Sequence, residues 1–409
     1  MTTSAAVRYP MTGPASKMAA AVALAVWLAA CGGGGGDSTP AAPATPAATT
    51  SPTAFSGPIT GFGSIFVNGV RIDNSGAVNT LDDNPNAGAD DLRLGMVVEV
   101  QGARDNDGPT GRATAIASRS FVQGPVASIN SSGGSFVVLG VAITVAPSTV
   151  FDGHNSFSGL SGLAVNDIVE VHGLPDANGT SVKATRVERK SPGTEIRLTG
   201  IVRNAGASSF TINGITVQYT PAVLDNLPSG IANGGVVRVK GTQTGPTAIT
   251  ATRVRGTTLV PAVVQGQRAE LEGVVTALRS ATDFDLSGLR VTVPSTATVR
   301  GTPVVGARVE VKGTVSSGVL VAADVNVEDE RQQANEANEI HANIVSIDRT
   351  AQIFSVNVGG LRVQWSSETV FDNATLPRGA GDLAVGMRLE VKGRTSGNII
   401  IASRIKRDN

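Results

Sequence analysis

The chain has 409 residues, with Lys+Arg and Asp+Glu balanced at 33 each, 41% hydrophobic residues, 4% aromatics, 49 Gly and 20 Pro. That balance excludes a strong net field drawing nucleic acid or anionic lipid to the protein. The hydrophobic share excludes a largely disordered chain, and abundant Gly and Pro with few aromatics predict many short strands joined by tight turns.

The first element reads as a targeting segment. Lys17 precedes an apolar run of about a dozen residues ending at Leu28-Ala29-Ala30-Cys31, too short to span a bilayer and matched to a signal h-region. Met11 or Met18 would serve equally as the start. Leu-Ala-Ala-Cys resembles the lipobox of bacterial lipoproteins, which implies removal of residues 1–30, acylation of Cys31 and a lipid bilayer as first partner. Gly32 stands where that resemblance would place an inner-membrane retention Asp, implying an outer-membrane lipoprotein facing the periplasm or the cell surface. Loss of Arg8 and Lys17 with the leader leaves 31 basic against 33 acidic residues. Cys31 is the only Cys, so disulfides, Cys metal sites and a Cys nucleophile are not expected. Residues 31–55 read as the lipidated Cys and a flexible Gly/Pro/Ala/Thr tether.

One phrase then recurs five times: "VVEVQG" (97–102), "IVEVHG" (168–173), "VVRVKG" (236–241), "RVEVKG" (308–313) and "RLEVKG" (388–393). The closing glycines are 71, 68, 72 and 80 residues apart, a period suited to small domains rather than solenoid repeats. Alternating Val-Glu-Val predicts a half-buried strand, with the Gly expected to begin a turn. Upstream of each copy lies a hairpin pattern, such as "IFVNGVRI" (65–72) and "FTINGITV" (210–217), whose central pair suits a primed turn. A strand precedes each hairpin and another follows each hexapeptide. The predicted fold is all-β: five tandem small five-stranded OB-like Greek-key barrels. Closure favours barrels over open sandwich-like sheets because it removes exposed edges. The predicted repeats are 56–122, 123–191, 194–258, 267–328 and 339–408. A polar linker at 329–338 reads as the hinge, and the apolar joint 258–266 as packed. The Gly-rich crossings between third and fourth strands allow at most one helical turn.

The order of these pieces, with "TVFDG" (149–153) before "LAVNDIVEVHG" and "TVFDN" (369–373) before "LAVGMRLEVKG", resembles the bacterial domain of unknown function 5666 repeats over residues 57–408. The resemblance implies envelope lipoproteins with OB-like repeats and nothing catalytic. The first unit lacks T-V-F-D, the third has "AVLD" and Arg238 for Glu, and the fourth has "TVRG".

Candidate chemistry is sparse. His154, His172 and His341 occupy unmatched positions, so no metal pair is expected. Asp152, Asp225 and Asp372 read as Asx-turn residues. Glu99, Glu170, Glu310 and Glu390, with Lys312 and Lys392, read as a solvated strand face carrying cross-strand ion pairs. Asp82, Asn84 and Asn86 alternate like the first ligands of a calcium loop, but Gly falls one place late and Arg93 replaces the closing Glu; the alternative is an exposed acidic loop. Arg186, Arg253 and Arg404 form a weak basic stripe without the stacking aromatics that single-stranded nucleic acid requires, so no nucleic-acid partner is expected. Arg71, Asn68, Arg290, Arg362 and Trp365 fall on or beside the second and third strands, where OB barrels hold ligands. Trp365, exposed, would be a stacking platform and would place the binding face on the fifth unit; buried, it would plug that barrel. No cofactor is implied. The reading is a non-catalytic, envelope-anchored binding or structural module for a glycan or envelope protein. The alternative is an envelope hydrolase or calcium-dependent adhesin with a site between repeats.

Overall fold

The computed structural model describes residues 50–105, 108–152, 157, 159–328, 338–396 and 398–408. Cys31, His154 and residues 329–337 of the polar linker lie outside them.

Each unit is a closed five-stranded barrel. In the first, strand one (Thr50–Phe62) pairs antiparallel with strand two (Ile65–Val67) and with strand four (Val97–Asp105). Strand two pairs with strand three (Val70–Asp73), which runs parallel to strand five (Thr110–Ser118); strand five closes antiparallel onto strand four. That order, 1-2-3-5-4-1, is the OB closure. The fifth unit repeats it with Asn338–Asp348, Ile353–Val356, Arg362–Gln364, Arg388–Ser396 and Ile399–Arg407. Among the described residues the crossings carry only single 3-10 turns, at Ala89–Asp91, Leu160–Gly162 and Gly379–Asp382.

The hairpins turn as their sequences require. Asn68-Gly69, Asn213-Gly214 and Ser287-Gly288 all hold positive φ at both central residues, the geometry of a primed turn. Phe136, Phe210, Phe284 and Phe354 on the second strands are fully buried. The stretch in the T-V-F-D register pairs beside strand five, as a separate short sixth strand in four units and as the end of strand three (Val141–Asp152) in the second. Val78–Leu81, Val150–Asp152, Val223–Asp225, Thr298–Arg300 and Val370–Phe371 each run parallel to the end of strand five.

The repeated hexapeptide is strand four, with Val98, Val100, Val309 and Val391 in the cores. Its closing glycine does not begin a turn. It sits inside the strand at a β-bulge, with the register shifting at Gln101/Gly102, Lys240/Gly241 and Lys392/Gly393. A Cβ there would stand 2.1 Å from the Arg112 carbonyl oxygen at Gly102 and 2.2 Å from that of Val321 at Gly313. Backbone approaches too closely for any side chain, which is why the phrase always ends in Gly. Gly102→Ala is expected to destabilise the protein by about 1–3 kcal/mol through overpacking; a urea midpoint unchanged from the parent would refute this account of the repeat.

The barrels are not separate beads. The first unit's strand one lies parallel to the fourth unit's (Thr53–Ser56 beside Arg268–Leu271) and then the fifth's (Gly61 and Phe62 beside Glu339 and Ile340). The second and third units pair through their own first strands at Gln123 and Arg197. Strand one begins at Thr50, inside the segment assigned to the tether, and Phe55 is buried in the core. The fifth unit is thus held on the first, a contact the expected hinge did not anticipate. Barrels of this size bury too little surface to be robust alone, and shared strand edges supply the deficit.

Candidate functional site

The charged residues that stand out in the sequence gather where barrels meet. The acidic stretch of the first unit divides in two: residues 84–91 are largely exposed, as an acidic loop would be, while Asp82 and Asp83 are drawn into the neighbouring barrels. Val78–Leu81 and Asn84–Ala87 form a hairpin turned by Asp82 and Asp83, both at positive φ, and its tip enters the third unit. The Asp82 carboxylate accepts from Arg197 at 2.8 Å, from Arg238, and from the Ser120 backbone N–H at 2.9 Å. Asp83 pairs with Arg255 at 2.8 Å and Lys240 at 3.1 Å. Arg238, which replaces the repeat's Glu, is 2% exposed: the departure in the third hexapeptide is the socket for the first unit's turn. Burial works to raise both carboxyls; Arg238 with Arg197 for Asp82, and Lys240 with Arg238 for Asp83, hold them below the usual range. With these cations in place the carboxylate is not free for calcium, and Asn84 and Asn86 lie exposed beyond it.

The hexapeptide glutamates carry the expected cross-strand ion pairs, as between Glu390 and Lys406, but do not form a solvated face. Glu170 and His172 are buried, and Glu170 accepts from Arg197 of the next unit at 2.8 Å. Burial opposes its ionisation, yet His172, Lys190 and Arg197 hold its pKa well below the carboxylate range. Glu390 is buried beside Lys406. Glu310 faces the opposite balance: burial outweighs Lys312 at 3.2 Å, with Glu272 and Glu328 adding repulsion, and its pKa is pushed up to about 7. It borders a cleft of about 450 Å3 where the first, second, fourth and fifth units meet, beside the buried Glu272–Arg308 pair.

Asp152 and Asp372 share a second device. Arg186 pairs with Asp152 and Arg404 faces Asp372 at 3.8 Å, from matching strand positions. In the fourth unit the polarity is exchanged, Arg300 pairing with Asp324 at 2.6 Å, which accounts for "TVRG". Asp225 faces Arg255 instead, at 3.5 Å. Asp372 also makes the expected Asx contact, accepting from the Ala374 N–H at 2.9 Å.

Glu339, His341 and Glu390 place ligand atoms within 4.8 Å of one another, a grouping the spacing of the histidines concealed. His341 is engaged by Glu339 at 3.0 Å and Asp408 at 2.8 Å and stacks on Phe66. Lys392 and Lys406 neutralise the carboxylates. The cluster is a protein-satisfied ion network.

The residues expected on a ligand face are scattered. Trp365 is 5% exposed, packed on Phe354 with ring centroids 5.9 Å apart; it plugs the fifth barrel and is no stacking platform, because its alternation on the strand directs it inward. Asn68 is buried and donates to the Ser56 and Glu270 carbonyls. Arg71 donates to the Gly63 carbonyl at 2.8 Å, and Arg290 pairs with Asp283 at 2.9 Å. Arg362 is exposed, with Asn398 at 3.3 Å. An apolar cleft of about 450 Å3, lined by Val126, Leu139, Ile215 and Pro246, separates the hairpins of the second and third units.

A family model described as Domain of unknown function (DUF5666) matches five stretches, residues 56–117, 123–188, 199–255, 272–326 and 343–406. No curated protein matches the chain.

Proposed function

For a chain that belongs to the family described as Domain of unknown function (DUF5666), we propose a non-catalytic role: an envelope-anchored module whose welded barrels present loops to an envelope protein. The observation that carries this reading is the hub formed by the first unit. Its strand one and its Asp82-Asp83 turn engage three other units, so the prominent ionised clusters serve assembly. A protein partner is favoured over a glycan because Trp365 and the recurrent second-strand Phe side chains lie in cores, leaving those rings unable to stack on sugars. The hairpins between fourth and fifth strands differ in sequence above similar strands, the arrangement by which a constant frame carries recognition. Photo-cross-linkers at Asn178, Thr244 and Ser317 in the full chain, used in cells, are expected to capture a discrete envelope protein. Adducts confined to glycan, or none at any hairpin, would contradict this role.

Anchoring rests on the lipobox resemblance at Cys31. Cys31→Ser is expected to abolish acylation and move the protein from the detergent phase to the aqueous phase; an unchanged partition would remove the anchor from the proposal.

The alternative of a hydrolase site between repeats has one observation in its favour. Glu310, with its pKa near 7 beside a cleft shared by four units, is suited to proton transfer at neutral pH. Turnover of an envelope substrate by the parent and its loss in Glu310→Gln would establish that reading instead.

A further inference from the structure

The junction between the first and second units is made of two parts that recur along the chain, and on the fifth unit both parts are uncovered. The first part is the loop ahead of strand four, Leu94-Gly95 in the first unit. Leu94 is 1% exposed and Gly95 holds φ +77°. The last strand of the second unit sits on this loop. The Thr185 hydroxyl donates to the Gly95 carbonyl at 2.6 Å, and Arg186 Nη1 donates to the Leu94 carbonyl at 3.1 Å. A Cβ on Gly95 would come within 2.5 Å of the Thr185 carbonyl oxygen. Val150, opposite Arg186 in the parallel ladder, joins the first unit's core. Val150, Thr185 and Arg186 thus form a plug, and Leu94-Gly95 its socket.

Strand register finds the counterparts. Val370 opposes Arg404 as Val150 opposes Arg186, so the fifth unit's plug is Val370, Ser403 and Arg404. Its socket is Val385-Gly386. Val385 is 65% exposed and Val370 59%, and the Arg404 side chain is 57% exposed. Gly386 has φ +84°, and nothing lies within 4 Å of a Cβ built on it. The undocked plug also differs in its hydroxyl: Ser403 donates to the Lys392 carbonyl of its own fourth strand at 3.0 Å, where Thr185 reaches across the junction. Ala384 stands where the first unit has Arg93, so an incoming arginine meets no cation at that position.

We infer that copies of this chain associate head to tail, the Val370–Ser403–Arg404 surface of one fifth unit seated on the Val385-Gly386 loop of another. The occupant is a second copy because the plug that this kind of socket accepts is carried by the same unit, and the polarity complements: the Arg404 guanidinium meets the Val385 carbonyl as Arg186 meets that of Leu94, while the nearby Arg349 is turned to the Ala380 and Leu383 carbonyls. Plug and socket are different surfaces, so the contact is heterologous and leaves one of each open at the ends of a growing row. Nothing in it depends on the anchor or on an envelope partner.

The test uses the full chain in detergent with Cys31→Ser, so that each introduced thiol is the only one. Val370→Cys and Val385→Cys variants carrying different tags are mixed and treated with a short thiol cross-linker. Mixed-tag dimers are expected to dominate, to fall about tenfold with Arg404→Glu, a loss equivalent to about 1.4 kcal/mol, and to persist with Arg394→Glu, an exposed control on the same unit. Equal yields of mixed and same-tag products, or monomer alone throughout a sedimentation concentration series, would overturn the inference. So would cross-linking of Val385→Cys to Val223→Cys in preference to Val370→Cys, which would assign the plug to the third unit.

Discussion

Asp82→Asn is expected to destabilise the folded chain by about 3 kcal/mol, because removing one member of a buried ion network strands the others. Asn tolerates the positive φ at this turn and preserves shape, so the change removes little besides charge. What it leaves is Arg238, 2% exposed, with Asp83 Oδ2 at 3.9 Å from its Nε as the nearest remaining counter-charge. Urea denaturation should show a lower midpoint. Arg238→Gln should cost a similar amount, and the double variant clearly less than the sum of the two. Strict additivity would mean that the two groups do not act together and would remove the dock from the account of assembly. The folded pKa of Asp82 lies below its ordinary 3.8. The stability from its charge is therefore present above about that pH and lost as pH falls through the lower folded value, so the parent should lose more stability on acidification than Asp82→Asn does.

That dock marks the boundary of what the sequence discloses. Strand, hairpin and hexapeptide are local patterns, readable because a two-residue period and a positive-φ pair depend on neighbours in the chain. The closing Gly was legible as special but not as a bulge, since only the partner strand's carbonyl reveals the close approach. The pairing of the short T-V-F-D strand with strand five was hidden because two to four residues carry too little periodicity to show a partner. Trp365 was legible only as two alternatives, which strand alternation separates once the register is known. Asp82, Glu170 and Asn68 have partners in other units, and no local rule predicts which barrel will lie against which. The clue that was present lay in the departures. Arg238 for Glu marks the socket for the Asp82 turn, and Arg300 in "TVRG" answers Asp324 with reversed polarity. A residue that breaks a repeat's pattern is best read together with a second departure elsewhere that could complement it.

Glu310→Gln is expected to stabilise the protein at neutral and alkaline pH and to leave it nearly unchanged in acid. The Glu310 side chain is 14% exposed, and burial in the four-unit junction lifts its pKa from 4.5 to about 7. A carboxyl raised in the folded state binds its proton more tightly there than in the unfolded chain. Its contribution is therefore favourable below about pH 4.5 and is lost as pH rises through about 7. A shift of that size corresponds to roughly 3 kcal/mol at full ionisation, reduced where Lys312 can follow the charge. Gln is neutral at every pH and nearly the same shape, so its advantage should grow across that window and level off above it. Urea midpoints of parent and variant, compared at about pH 4.5 and about pH 8, isolate the term because all other groups are common to both. An advantage of equal size at the two pH values would place its origin in packing rather than ionisation. It would also remove the one observation that favours proton-transfer chemistry between the barrels.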